Sequence, residues 1–127
     1  MVLKLAINIS LAVQMLAFAE GLVLAERSGI DPKLAVEVMT ESPIGSPMLK
    51  ARVPLLLDLP DEAWFDIDMM HKDIRLALQT ADELHVSVPT AHAADEALTQ
   101  ASELGYGNRD LAALHEALAK ESDARVG

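Results

Sequence analysis

Lys4 and Asn8 stand four residues apart near the start of the chain, in LKLAINIS, a spacing that sets both side chains on one face of a helix. The pair reads two ways. It can be a lysine snorkelling from a helix end beside an incidental amide, and composition alone favours this. Alternatively, amine and amide converge on one ligand. An amine in a partly buried site can act as a general acid or base near neutrality, and an asparagine amide can bond a substrate hydroxyl or carboxylate. Lys72-Asp73, within WFDIDMMHKDIRLAL, poses the same choice. It is either a solvated charged pair near a helix start or a lysine aimed at a cofactor or substrate.

Other chemistries find little support. His71, His85, His92 and His115 are scattered, and Pro89 interrupts the seven residues between His85 and His92. No H-x-x-x-H spacing occurs, so no metal is expected. The chain has no cysteine, which excludes disulfides, thiolate catalysis and cysteine-based zinc or iron–sulfur sites. Neither G-x-G-x-x-G, a P-loop nor G-x-S-x-G is present, and SPIGSP reads as a loop, not a nucleotide cradle. With 20 acidic against 10 basic residues the formal charge is -10. So acidic a chain repels nucleic acid and anionic membrane surfaces, and neither is an expected partner.

The elements that must position these residues are helical. Over residues 3–28, Leu5, Ile9, Ala12, Leu16, Ala19 and Val23 recur at three- and four-residue steps. The other faces carry Ile7, Leu11, Val13, Met15, Phe18 and Leu24, so this helix should be buried on most sides, inside a domain or at a subunit interface. Residues 1–19 also have the outline of a signal peptide ending in Ala17-Phe18-Ala19. Asn8, Ser10 and Gln14 interrupt that reading, and the apolar pattern continues through GLVLAE. Glu20, Glu26 and Arg27 argue against a transmembrane span. Asp31-Pro32 opens a short helix to about Met39, and a short helix is expected around 46–58 among Pro43, Pro47, Pro54 and Pro60. Helices follow over 68–84, from a Thr90 cap to about Glu103, and from Asp110 onward. Strand alternation is missing throughout. The expected fold is all-α, a long central helix with shorter helices packed on it, with residues 1–120 as one domain and 121–127 as a polar tail.

Taken together, these segments resemble the C-terminal helical domain of the β-hydroxyacid dehydrogenases, the family of 3-hydroxyisobutyrate dehydrogenase and of relatives of 6-phosphogluconate dehydrogenase. The likeness covers roughly residues 3–119. Lys4-Leu5-Ala6-Ile7-Asn8 is similar to the family's K-x-x-x-N, and Glu20 to Glu26 with Gly29-Ile30-Asp31 to its E-(A/G)-x-x-L-(A/G)-x-x-x-G-(L/I)-D. Phe65 to Ile74 resembles F-x-(L/I)-x-x-x-x-K-D-(L/I), and Val88-Pro89 and Gly105 to Asp110 fit later proline and G-x-G-x-x-D positions.

The resemblance implies roles that spacing alone does not assign. Lys4 would be the general acid/base, Asn8 a substrate contact and Lys72 a contact near cofactor and substrate. It further implies a small hydroxy-acid substrate, NAD or NADP in the complete enzyme, homodimers through this domain and a cytoplasmic location. The family's N-terminal Rossmann domain has no counterpart in this sequence, so no dinucleotide is expected to bind this chain well, and the chain alone is expected to be inactive. Met1-Val2-Leu3 replaces the glycines before the lysine, and Leu111 replaces the serine after the late aspartate. The expected function is the substrate-binding and dimerisation domain of an NAD(P)-dependent 3-hydroxyacid dehydrogenase. The alternative is a non-catalytic helical association module that scaffolds or regulates a full-length relative.

Overall fold

The computed structural model describes residues 1–126, and among them the chain is a helical bundle without a strand. Helix α1 (Val2–Arg27) runs through its centre, and α2 (Pro32–Glu41), α3 (Pro47–Arg52), α5 (Ile67–Glu83), α6 (Pro89–Ala101) and α7 (Leu114–Val126) all contact it. The core forms where α1 meets them. Met15 and Leu22 of α1, Met70 and Ile74 of α5, Leu98 of α6 and Leu111 are almost wholly buried. Residues 2–19 thus belong to a core helix that continues without a break to Arg27. Among the described residues α1 alone is long and apolar enough to cross a membrane, a property it shares with any buried spine helix. Its burial is nonetheless incomplete. Ile7 and Leu24, expected to be covered on most sides, are 66% and 74% exposed in this chain.

Local chemistry sets the helix ends. Gly29 (φ 96°) closes α1: its N–H reaches the Glu26 carbonyl at 3.1 Å while Ile30 N–H reaches that of Ala25 at 3.1 Å. Asp31 accepts from Lys33 N–H and, with Pro32, starts α2. The single helix expected around 46–58 is in fact two, α3 and α4 (Pro54–Leu57), because the Pro54 ring has no N–H to continue the ladder. Helix α6 begins at Pro89 with no side-chain cap, so Thr90 lies inside the helix instead of capping it. Beyond Ala101 a π-helical turn, Ser102–Tyr106, contains a left-handed Gly105 that kinks the chain there. Asp110 then starts a 3₁₀ turn (Leu111–Ala113) that leads into α7. Residues 121–126, set apart by composition as a polar tail, continue α7, and Gly127 lies outside the described residues.

Candidate active site

The amino-terminal turns of α1 lie along α5, and the residues singled out by spacing meet there. On α5 and the residue preceding its cap, Phe65, Met69 and Asp73 follow at four-residue steps and so face α1 together, with Lys72 beside them. With Lys4 they line a recess of about 230 Å³. Asn8, one turn further along α1, is 6% exposed and donates from Nδ2 to Asp73 Oδ2 at 2.8 Å. Lys4 and Lys72 are exposed, and among the described residues neither amine is held in an ion pair. The dry surroundings expected for the Lys4 amine are therefore not built by residues 1–126 alone.

A second set of contacts fixes where α5 begins. Asp66 caps the helix through Met69 N–H at 2.7 Å. Asp110, fully buried, accepts from Trp64 N–H at 2.9 Å, Phe65 N–H at 3.3 Å and Ala112 N–H at 2.9 Å. Backbone bonds from Ile67 N–H to the Arg109 carbonyl (3.0 Å) and from Leu111 N–H to the Phe65 carbonyl (2.8 Å) complete an isolated antiparallel bridge between Asp66 and Asp110. Gly107 sits against this junction, and a Cβ there would stand 2.3 Å from Asp68 Oδ2. The Gly105–Asp110 segment thus sets the height and rotation of α5, and through them the place of Phe65, Lys72 and Asp73.

Sequence reasoning missed two of these residues. The sequence presents Asp73 as half of a charged pair and as the D of a K-D motif, with no sign that it partners the buried amide of Asn8. The sequence presents Asp110 as a helix start, which understates a carboxylate that also holds the segment before α5. Two of the four histidines find carboxylates, each pairwise. His115 bridges the Leu56 carbonyl (3.2 Å) and Glu26, and His71 meets Asp95 at 2.8 Å and Thr99 at 3.0 Å. Among the described residues no three histidine or carboxylate side chains converge as metal ligands would. A larger recess of about 560 Å³ lies between α1 and α7, remote from Lys4 and edged by Leu24 and Glu121. Burial raises the Glu121 carboxyl above its ordinary range. Nearby, interaction with Tyr106 raises the Lys120 amine, which lies 5.0 Å from the ring centre.

Comparison with known proteins identifies the family. Residues 1–118 match the family described as the NAD-binding part of NADP-dependent 3-hydroxyisobutyrate dehydrogenase. The chain is 37% identical over 116 residues to glyoxylate/succinic semialdehyde reductase 1 of Arabidopsis thaliana, covering 91% of this chain and 40% of that protein. It is 30% identical over 115 residues to cytokine-like nuclear factor N-PAC of Anopheles gambiae, covering 91% of this chain and 20% of that one. The crystal structure of a 3-hydroxyisobutyrate dehydrogenase from Salmonella typhimurium superposes with a TM-score of 0.83 at 30% identity, over 90% of this chain and 40% of the other. The chain therefore spans well under half the length of these relatives. By the match over nearly its whole length, it belongs to the 3-hydroxyisobutyrate dehydrogenase family of β-hydroxyacid dehydrogenases.

Proposed function

We propose that this chain is the substrate-binding and dimerisation part of an NAD(P)-dependent dehydrogenase of small 3-hydroxy acids, acting in the cytoplasm. One observation carries the reading: Lys4 of α1 and Lys72 of α5 come to one recess, with Asn8 fixed behind it by Asp73. Two amines in a chain of net charge -10 make a local cationic site suited to a small carboxylate. Lys4, in its neutral form, takes the hydroxyl proton as hydride leaves the carbon that bears it, and returns that proton in the reverse direction. The Asp73 bond occupies one N–H of Asn8 and leaves its oxygen and second N–H for the substrate.

The residues present fit only one end of a dinucleotide. Lys72 and the Phe65 ring can border the reacting ring, whereas no glycine-rich turn opens a helix here to cradle a pyrophosphate. A bound nicotinamide would supply hydride acceptance, and a Rossmann domain packed over the recess would also exclude water from the Lys4 amine. On this reading the chain alone does not turn over substrate.

A second reading, a non-catalytic association module, gains support from the likeness to N-PAC, whose name describes a nuclear factor and not a dehydrogenase. One experiment separates the two. The chain is joined to the Rossmann domain of a relative and assayed on a panel of small 3-hydroxy acids. The enzyme reading expects turnover that Lys4→Ala lowers by roughly 10²–10⁴-fold with an unchanged melting temperature. Full activity in Lys4→Ala removes Lys4 from its role, and a folded fusion without any turnover favours the association module.

A further inference from the structure

The recess beside Lys4 is lined by Lys4, Phe65, Met69, Lys72 and Asp73, and all but one of these have a task or a tether. Lys4 and Lys72 bring their amines to the candidate site. Asp73 is tied to the Asn8 amide at 2.8 Å. The Phe65 backbone is held on both sides, its N–H by Asp110 at 3.3 Å and its carbonyl by Leu111 N–H at 2.8 Å, and its ring packs against the core. Met69 is the exception. It carries no charge, and it is 56% exposed at the edge of the recess.

Only the side chain of Met69 is free to adapt. Its N–H donates to the Asp66 carboxylate at 2.7 Å, which fixes the residue in the first turn of α5. On one side Asp68 accepts from Ser102 Oγ at 2.9 Å, and on the other Met70 is wholly buried. A rigid backbone therefore carries an unbranched thioether, the kind of side chain that repacks most readily around what enters.

We propose that Met69 is a specificity-determining residue of this recess, setting the size of the substituent that a substrate can carry at C2, the carbon between carboxylate and carbinol. The inference rests on the 3-hydroxyacid reading of the site and deepens it. The amines and the Asn8 amide take the carboxylate and the carbinol, which holds both ends of a small 3-hydroxy acid. A group on the carbon between them meets the apolar lining, Phe65 and Met69. Phe65 yields only if its contacts with Asp110 and Leu111 break, so the group is accommodated or refused by Met69. At about 230 Å³ the recess is small, and one added carbon is felt there.

The test joins the chain to the Rossmann domain of a relative and assays 3-hydroxypropionate with its C2-methyl, C2-ethyl and C2-propyl homologues. The parent is expected to show one homologue at which kcat/KM falls by roughly 10-fold or more, since a methylene in an apolar pocket is worth about 10–200-fold. Met69→Ala should move that fall to a longer homologue and Met69→Trp to a shorter one, while Met69→Leu, of similar volume, leaves it in place. A second readout needs no turnover. With the methionine methyls labelled with carbon-13, the Met69 resonance, identified by its loss in Met69→Leu, should shift when the best homologue is added with cofactor. A fall that stays in place in Met69→Ala and Met69→Trp, or a Met69 resonance that does not move, overturns the proposal and leaves the 3-hydroxyacid reading standing. An equal loss on every homologue shows a merely structural role for Met69, and a parent that turns over all four equally has no size limit to set; either overturns the proposal. A folded fusion that turns over none of them overturns the 3-hydroxyacid reading, and the role of Met69 with it.

Discussion

Replacing Asp110 with alanine takes one buried carboxylate from three backbone N–H groups, those of Trp64, Phe65 and Ala112. A hydrogen bond to a charged group contributes about 1.5–3 kcal/mol, so the three together set an upper bound of roughly 5–9 kcal/mol. The net loss is smaller. The Phe65 bond is long at 3.3 Å, water can reach the exposed Trp64 segment, and removing a buried charge recovers its desolvation cost. A destabilisation of about 3–4 kcal/mol remains, which for a domain of this size lowers the melting temperature by roughly 10–15 °C. The chain's single tryptophan is Trp64 itself, so its fluorescence reports the clamped segment while far-UV circular dichroism reports the bundle. Urea unfolding of Asp110→Ala is expected to show a lowered midpoint by both probes, with the fluorescence change leading. Asp110→Asn keeps one acceptor oxygen and should lose about half as much. Unfolding free energies within about 1 kcal/mol of the parent by both probes would refute the clamp, and with it the role of the Gly105–Asp110 segment in setting the position of α5.

Two further substitutions test neighbouring parts of the argument. Asn8→Asp puts a second carboxylate within bonding distance of Asp73, and the pair then shares a proton only in the folded state. Stability should therefore be kept at about pH 4 and fall by on the order of 2 kcal/mol as pH rises to about 7, a loss read from urea midpoints that Asn8→Leu should not show. Burial raises the Glu121 carboxyl, so the folded chain holds that proton more tightly than the unfolded chain, and stability declines as pH climbs above the ordinary carboxylate range. Glu121→Gln should raise the melting temperature at neutral pH and leave it unchanged at about pH 3. An equal effect at both would show that burial of the charge is not the cause.

Much of the fold was legible because helices announce themselves locally. Gly29, Asp31-Pro32 and the spacing along α1 each act within a few residues, and the elements they define stand where expected. The same local reasoning failed at Thr90, where Pro89 took the first helical position, and at Val53-Pro54, where a missing N–H divides one expected helix into two. What stayed hidden was pairing across the chain. Asn8 and Asp73 are 65 positions apart, and Asp110 and Trp64 are 46. Nothing in the periodicity of either segment says which carboxylate meets which donor. Lys4 and Lys72 could be named from the resemblance, but their meeting in one recess required the packing of α1 on α5.

The composition of α1 now has a physical account. One face must fill the core, and Met15 and Leu22 do so. A second carries Lys4 and Asn8 against α5 and needs its polar groups few and held, which Asp73 accomplishes for the amide. The third, from Leu3 to Ser28, is uncharged without being buried, and selection for the stability of one copy gives no reason for that. An exposed helix face in a chain of net charge -10 would gain solubility from lysine or glutamate at positions such as Ile7 and Leu24. Charges fall instead beside that face, at Glu20 and Arg27, so they border the uncharged strip without interrupting it.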